Sequence, residues 1–323
     1  MKRRRRSSPA RAAMKMLCLM LGVILAIMVS ATVYFQSQIG LLPSLGDLQL
    51  ELPNLSLPEL NLGKPGQIGG TGSGIVNILL IGQDRREGEA RARSDSMILC
   101  TFNKKSKQII MTSFLRDLYV PIPGHGSNRI NAAYTLGGME LLNDTLEENF
   151  GIHIDGNVEV DFGHFAQIID ALGGVEMELR QDEADFINKE TGSSLSAGVQ
   201  LMNGEQALMY SRIRKLDADG DFSRTDRQRK VMSALFSTYR NSGISTMLSL
   251  IKEIRPMLDT DIGSIEMMVM AMDLVPMLAD AQVVSQYVPS AGTYADQSIN
   301  GMSVLVPDVQ AVHQMLESTL LPQ

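Results

Sequence analysis

The chain has 323 residues, 44% hydrophobic and 20% charged, with a formal net charge of −7. That length suits one large domain or two small ones. Its two cysteines, Cys18 in an apolar run and Cys100 in a predicted strand, give no disulfide framework; four histidines and no CxxC suggest no zinc site. A site built from oxygen ligands stays open.

Charge is unevenly placed. Residues 1–15, MKRRRRSSPARAAMK, hold seven basic residues and no acidic one. A basic tail alone would fit nucleic acid, but the next segment argues otherwise. Residues 16–35 carry no charge, and as a helix they would span roughly 30 Å, a bilayer core. Basic residues before this run and an acidic body after it follow the positive-inside rule. The sequence therefore predicts one transmembrane helix, a cytoplasmic N-terminus and an extracellular body, with no nucleic-acid partner. The rival is a cleaved signal peptide, for which the run is long and VSA at 29–31 a weak cleavage site.

Residues 36–74, Leu/Pro-rich and then Gly-rich, read as an extracellular linker. The glycines lack a Gly-Lys-Ser/Thr and a following helix, so they are not a phosphate loop. The folded body, 75–323, is predicted to begin near Ile75 with the apolar run IVNILLIG (75–82). Strands SMILCTF (96–102) and QIIMTSF (108–114) follow, with a hairpin turn at 103–106. A helix is expected over 131–149, a strand at 158–162, a glycine-closed helix at 165–174 and a strand at 175–179. GEQALMYSRIR (204–214) starts helical; 223–240 reads as a long helix and 243–279 as two more. A strand at 281–289 and a helix from Asp308 to Thr319 close the chain. This order predicts one α/β domain with a mixed central sheet flanked by helices.

Four charged groups fall at element ends. In GQDRREGEARARSDS (82–96), Asp84 leaves the first strand and Asp95 opens the second. Neighbouring strands would bring these carboxylates together, as a pair that holds Mg²⁺ next to phosphate; a solvated loop is the plain alternative. Arg116 and Asp117 stand at a strand end, where α/β sheets commonly bind ligands. Arg129 and Asn131 precede a helix. Arg212 and Arg214 face one site if the helix ends near Tyr210 and RIR is extended; otherwise Arg212 pairs with an acid. In GDFSRTDRQR (220–229), Ser223-x-x-Asp226 resembles a capping box, so Ser223 would be the N-cap and Arg224 the first helical residue. A cation is disfavoured there. Arg224, Arg227 and Gln228 would share a face, so either a bound anion or a surface ion-pair network explains the crowding. His125 reads as an exposed loop residue.

The motifs NILLIGQD, RSDSMIL, RDLYVPIPGHG, RINAAYTLGG, VDFGHFAQIIDALGGVE, RIRK and GDFSRTDRQRKVM, in this order, resemble those of the LytR–CpsA–Psr family. The resemblance is strong over about residues 75–240 and weaker to the end. It implies an α/β fold with a mixed central sheet. It also implies an enzyme that moves a glycopolymer from a polyprenyl-pyrophosphate carrier to peptidoglycan, outside a Gram-positive-type cell. The usual acceptor is the C6 hydroxyl of N-acetylmuramic acid, and polyprenyl phosphate is released. Carried over by motif, Asp84 and Asp95 resemble the Mg²⁺-linked aspartates, with Mn²⁺ as the alternative ion. Arg93, Arg116, Arg212, Arg214, Arg224 and Gln228 resemble the pyrophosphate-binding set. Asp84, Asp95, Arg116 and Arg224 are the expected catalytic group. Asp221, Arg129 and Asn131 are expected to support it, while Arg227 and Arg229 are expected to serve the helix surface. Gln83 stands where the family commonly has serine, and Leu115 where it often has proline. The rivals are a hydrolase that uses water as acceptor and a membrane-anchored binding or regulatory protein without chemistry. The lipid needs an apolar groove; the methionine-rich helices could line it, although methionine at helical spacing more often belongs to the core.

Overall fold

The computed structural model describes residues 68–70, 73–83, 93–239, 255–263 and 281–321. The expected basic tail, transmembrane segment 16–35, most of the linker, and Asp84 lie outside them. So does most of 243–279, where the sequence predicts two helices. No helix among the described residues is long and apolar enough to cross a membrane.

Three apolar strands open the body: β1 (Ile75–Gln83), β2 (Ser94–Asn103) and β3 (Gln108–Phe114). They run antiparallel in sequence order. The expected hairpin turn is present; the Asn103 side chain accepts from Lys105 N and Ser106 N, both at 3.0 Å, so the turn supplies its own acceptor. A small hairpin follows, β4 (Tyr119–Ile122) and β5 (Gly126–Arg129), in a stretch that reads as loop from its sequence. The helix α1 (Asn131–Phe150) breaks at Gly138, whose φ of 70° is open to glycine, and ends on the left-handed Gly151.

β6 (Gly156–Asp161) runs parallel to β1. It feeds α2 (Phe162–Ala171), whose N-cap Asp161 accepts from His164 N. Next come β7 (Val175–Leu179), α3 (Gln181–Thr191) and β8 (Gly198–Met202); β8 pairs with β7. Then α4 (Gly204–Arg212) starts on an Asn203–Gln206 capping box, and α5 (Asp221–Tyr239) follows. Within the expected helical stretch 243–279, residues 255–263 instead give a 3₁₀ turn (Arg255–Met257) and β9 (Asp259–Thr260), paired to β6. The chain closes through β10 (Gln282–Val288), the hairpin β11 (Tyr294–Ile299) and β12 (Met302–Pro307), and α6 (Val309–Leu320).

The central sheet has the order β10-β3-β2-β1-β6-β9. β10 lies parallel to β3, and β6 parallel to β1, so the sheet is mixed as expected. Side chains two apart share a face, and this splits each strand between two cores. Leu79, Ile81, Met97, Leu99 and Ile110 pack with Leu142, Leu146, Val312 and Leu316 from α1 and α6. Ile98, Cys100 and Met111 face the opposite way, towards Met232 of α5. Cys100 is a free thiol whose pKa burial pushes up to about 12. A third cluster joins α2, α4, α5 and the β7–β8 hairpin through Ile169, Val175, Met202, Ala207, Tyr210 and Val231. Packing reaches back to Ile68, inside the segment read as linker. Ile68 is 1% exposed and bonds to Gly151 and His153 through its backbone.

Candidate active site

The C-terminal end of β3, the start of β2, the end of α4 and the first turns of α5 converge on one cavity of about 490 Å³. Its walls include Asp95, Arg116, Arg212, Arg214, Arg224 and Gln228. Of the residues expected to bind pyrophosphate, the last five are thus brought together. Arg93 is exposed at the head of β2 and does not line the cavity.

Local structure differs from expectation in two places, with consequences for the charges. α4 runs on to Arg212, and only from Ile213 is the backbone extended. Arg212 therefore reaches the cavity from a helix end, with its guanidinium 5.1 Å from the centre of the Phe162 ring. α5 begins at Asp221, ahead of Ser223, after Gly220 with φ of 51°. The Arg224 N–H is consequently bonded to Gly220 O at 3.2 Å and offers nothing to an anion. What Arg224 offers is its guanidinium.

That side chain is 2% exposed. It donates to Asp221 Oδ2 at 2.9 Å and to Asp95 O at 3.1 Å, while its Nε has no hydrogen-bond partner. Burial pushes its pKa down to about 10; Asp221 opposes this, and the charges of Arg214 and Arg116 add to it. Arg116 donates to Asp95 Oδ1 at 2.8 Å and lies 3.6 Å from Asp221 Oδ1. Burial pulls its pKa down, but the bond to Asp95 and the nearby carboxylates outweigh this and raise it. Arg214 Nε is 3.7 Å from the same Asp221 oxygen. Three guanidiniums thus share one carboxylate. Cations crowded beyond their counter-charge favour an anion, with charge-assisted bonds from several sides.

The other arginines of 220–229 are not on the surface as expected. Arg227 is 2% and Arg229 3% exposed. Arg227 turns away from the cavity; it donates to Glu183 Oε1 at 2.9 Å, to Asp217 and, at 3.4 Å, to Ile213 O. It thereby ties α5 to α3 and to the connection that carries Arg214. Arg229 stacks over Tyr287, 5.7 Å from the ring centre, with Asp226 at 3.4 Å.

The supporting residues lie behind the cavity. Asp221 opens α5 at the centre of the guanidinium cluster. Arg129 binds Asp117 at 3.2 Å and Ser303 O at 2.6 Å, and so holds the β4–β5 hairpin to β12. Asn131 is buried at the start of α1. Gln83 and Leu115, the two departures from the family pattern, are both buried; Gln83 donates to Glu159, which also accepts from Tyr134. His125 is exposed, as expected. As for metal, Asp84 lies outside the described residues. Gln83, the last described residue of β1, pairs with Ser94, the neighbour of Asp95. Among the described residues no group of three or more His, Cys, Asp or Glu side chains could hold a metal ion. Asp95 alone does not make such a site.

Four further lining residues are not among the site residues expected from the sequence: Phe162 and Lys215, which lie within the quoted motifs, and Phe186 and Glu190, which lie in none. Their roles depend on α2 and α3 meeting the cavity, and α3 is itself absent from the sequence-based expectation. A second cavity of about 210 Å³ adjoins the first, sharing Phe162 and Gln228. Its walls are apolar: Leu80, Ile98, Phe165, Ile168, Leu208 and Met232 are among them. Gln228 stands at the junction and accepts from Ser96 Oγ at 3.0 Å.

A family model described as the LytR_cpsA_psr family matches residues 61–320. The chain belongs to that family. Curated relatives include the regulatory protein MsrR of Staphylococcus aureus (strain COL), 40% identical over 164 residues. That match covers 50% of this chain and 48% of the relative. The polyisoprenyl-teichoic acid–peptidoglycan teichoic acid transferase TagU of Oceanobacillus iheyensis is 41% identical over 165 residues, 49% of this chain and 50% of the relative. Each match thus spans about half the length of the relative. Among solved structures, TagT bound to LIIa-WTA superposes with a TM-score of 0.64 at 30% identity, covering 80% of this chain and 97% of TagT. A LytR-CPS2A-psr family protein, YwtF (TagT), with bound octaprenyl pyrophosphate lipid, gives 0.61 at 27% identity, covering 80% and 96%. Family membership accounts for the motif order along the chain, and the mixed sheet is the one the resemblance implied.

Proposed function

We propose that this chain is a membrane-anchored, extracellular phosphotransferase. It moves an anionic glycopolymer from a polyprenyl-pyrophosphate carrier to the C6 hydroxyl of N-acetylmuramic acid in peptidoglycan, and releases polyprenyl phosphate. One observation carries this reading: a cavity with four guanidiniums adjoins an apolar cavity, with Phe162 and Gln228 lining both. A pyrophosphate joined to a long hydrocarbon has that same division of polar head and apolar tail. The TagU relative and the lipid-bound family structure support the same substrate class.

In this reading the acceptor oxygen bonds to the phosphorus that carries the glycan. The bond from that phosphorus to the bridging oxygen breaks, and polyprenyl phosphate leaves with the electron pair. The hydroxyl proton passes to Asp84 or a neighbouring carboxylate. Arg116, Arg212, Arg214 and Arg224 orient the diphosphate and stabilise the charge that gathers in the transition state. Gln228 fixes the boundary between head and tail. Mg²⁺, or Mn²⁺, between Asp84 and Asp95 belongs to the proposal and would supply further neutralising charge.

The two halves are tested separately by binding to the full chain in detergent. Leu208→Trp fills the apolar cavity. It is expected to weaken a long-chain polyprenyl pyrophosphate at least about tenfold, about 1.4 kcal/mol, and to leave inorganic pyrophosphate unaffected. Equal weakening of both ligands, or of neither, would remove the tail from this cavity.

A further inference from the structure

A third cavity lies at the opposite end of the central sheet from the candidate active site. β1 enters the sheet at Ile75, paired with Asn103, and leaves it at Gln83, paired with Ser94. Its nine residues, at about 3.3 Å each, put the two ends roughly 30 Å apart. At the entry end, between the β2–β3 turn and the last turn of α6, is a cavity of about 620 Å³ walled by Asn103, Lys105, Ser106, Gln108, Ser318 and Thr319. Asn103 ties its two sides together: the amide donates to Leu320 O at 2.9 Å, and the side-chain oxygen accepts from the N–H groups of Lys105 and Ser106.

The wall holds one cation and no carboxylate. Lys105 is exposed and has no ion pair among the described residues. Around it are neutral amides and hydroxyls, which both donate and accept. Ser318 Oγ, for example, donates to Met315 O at 2.8 Å and keeps its acceptor capacity. A metal ion finds no carboxylate here. A diphosphate suits the cavity with four guanidiniums better. One ammonium among neutral polar groups suits a phosphodiester that carries a single charge with hydroxyls beside it. The headgroup of phosphatidylglycerol has that makeup.

Two observations mark this end of the sheet as the one that faces lipid. The chain before Ile68 joins the body here: Ile68 bonds to Gly151 and His153, and Gly74 O accepts from Lys104 N at 2.9 Å. Residues 16–35, the expected membrane span, precede that point of entry. The apolar cavity also runs this way. It extends from Gly82, Ser96 and Gln228 beside the cationic cavity to Leu80, Ile98 and Leu235, one step along each element towards the entry end. We infer that the third cavity takes the headgroup of an anionic phospholipid, and that Lys105 docks the body on the membrane surface. This inference rests on the membrane-anchored reading proposed above.

The test is hydrogen–deuterium exchange on the full chain in phosphatidylcholine nanodiscs, with and without phosphatidylglycerol. Phosphatidylglycerol is expected to slow exchange over residues 103–108 and 318–321 at least about threefold. Two variants of exposed residues are expected to abolish that difference: Lys105→Glu, which reverses the charge, and Ser318→Trp, which fills the cavity and leaves the charge in place. Equal exchange in both nanodiscs, or protection that persists in both variants, would overturn the site. Inorganic phosphate and glycerol phosphate, added to phosphatidylcholine nanodiscs, give the other source; full protection by either would overturn the lipid assignment in favour of a soluble phosphate. Transfer from a detergent-solubilised donor is read in parallel, and Lys105→Glu is expected to keep its kcat, so loss of docking and loss of the transferase reading are told apart. A chain that does not associate with phosphatidylcholine nanodiscs would end the anchored reading, and protection by phosphatidylglycerol would still decide the headgroup site.

Discussion

Arg224 shows how a residue can cost stability and serve a site. A base whose folded-state pKa is depressed holds its proton less tightly when folded than when unfolded. Its cost to stability is therefore full below about pH 10 and fades as pH rises through that value. Arg224→Met is expected to raise the melting temperature of the ligand-free chain by roughly 2–4 °C, about 1 kcal/mol, at neutral pH and to cut kcat by about 10²–10³. Differential scanning fluorimetry and initial rates read the two effects. A lower melting temperature would mean that Arg224 is a structural cation. Arg227 makes the opposite case. Its charge is compensated by Glu183, 4% exposed, and by Asp217. Arg227→Met strands Glu183 and is expected to cost about 3–5 kcal/mol in urea unfolding; a cost below about 1 kcal/mol would contradict the buried network. Both arginines lie in one decapeptide. Motif order distinguishes Arg224 and Gln228 from the rest, but nothing in the spacing says that Arg227 and Arg229 are buried. Burial of an arginine depends on acids supplied by other elements, here Glu183 from α3 and Asp217 from the connection.

At the scale of elements, the legible parts are those with a strong local signal. β1, β2 and β3 are long apolar runs, and α6 has a clear start at Asp308, which accepts from Ala311 N. The elements that the sequence does not announce are short or take their packing from far away. The β4–β5 hairpin, α3, β8 and the β11–β12 hairpin bury only part of their surface, so their hydrophobic pattern is weak. The start of α5 differs from expectation because the Ser223–Asp226 spacing imitates a cap, while Gly220 with its positive φ makes the turn. One element contact governs the site more than the others. Where α4 meets α2, a Cβ on Gly204 would stand 1.9 Å from Ala166 O. These helices carry Arg212, Leu208, Phe162 and Phe165 to the two cavities. Gly204→Ala must part them and is expected to cost about 1–3 kcal/mol, with a matching rise in the KM for a long-chain donor. An unchanged melting temperature would show that the helices can separate without loss.

For the molecule as a whole, the net charge of −7 is a poor guide to its ligand. Four arginines and Lys215 meet in one cavity that has only Asp95 and Glu190 as acidic lining, and the local field, not the net charge, decides what enters. The central sheet makes this possible. Its inner strands β1, β2 and β3 are largely buried and form a rigid platform, and the site stands where β2 and β3 meet the helices of the second core. The central claim is that this site transfers a glycosyl phosphate intact. The most direct measurement is mass spectrometry of a soluble GlcNAc–MurNAc peptide after incubation with the full chain, Mg²⁺ and a synthetic polyprenyl-pyrophosphate disaccharide. The account predicts an acceptor heavier by one disaccharide phosphate, released polyprenyl phosphate, and neither product with Arg224→Ala. Free disaccharide phosphate with unmodified acceptor would make the protein a hydrolase, and intact donor bound to the protein would make it a binding protein; either result would contradict the claim.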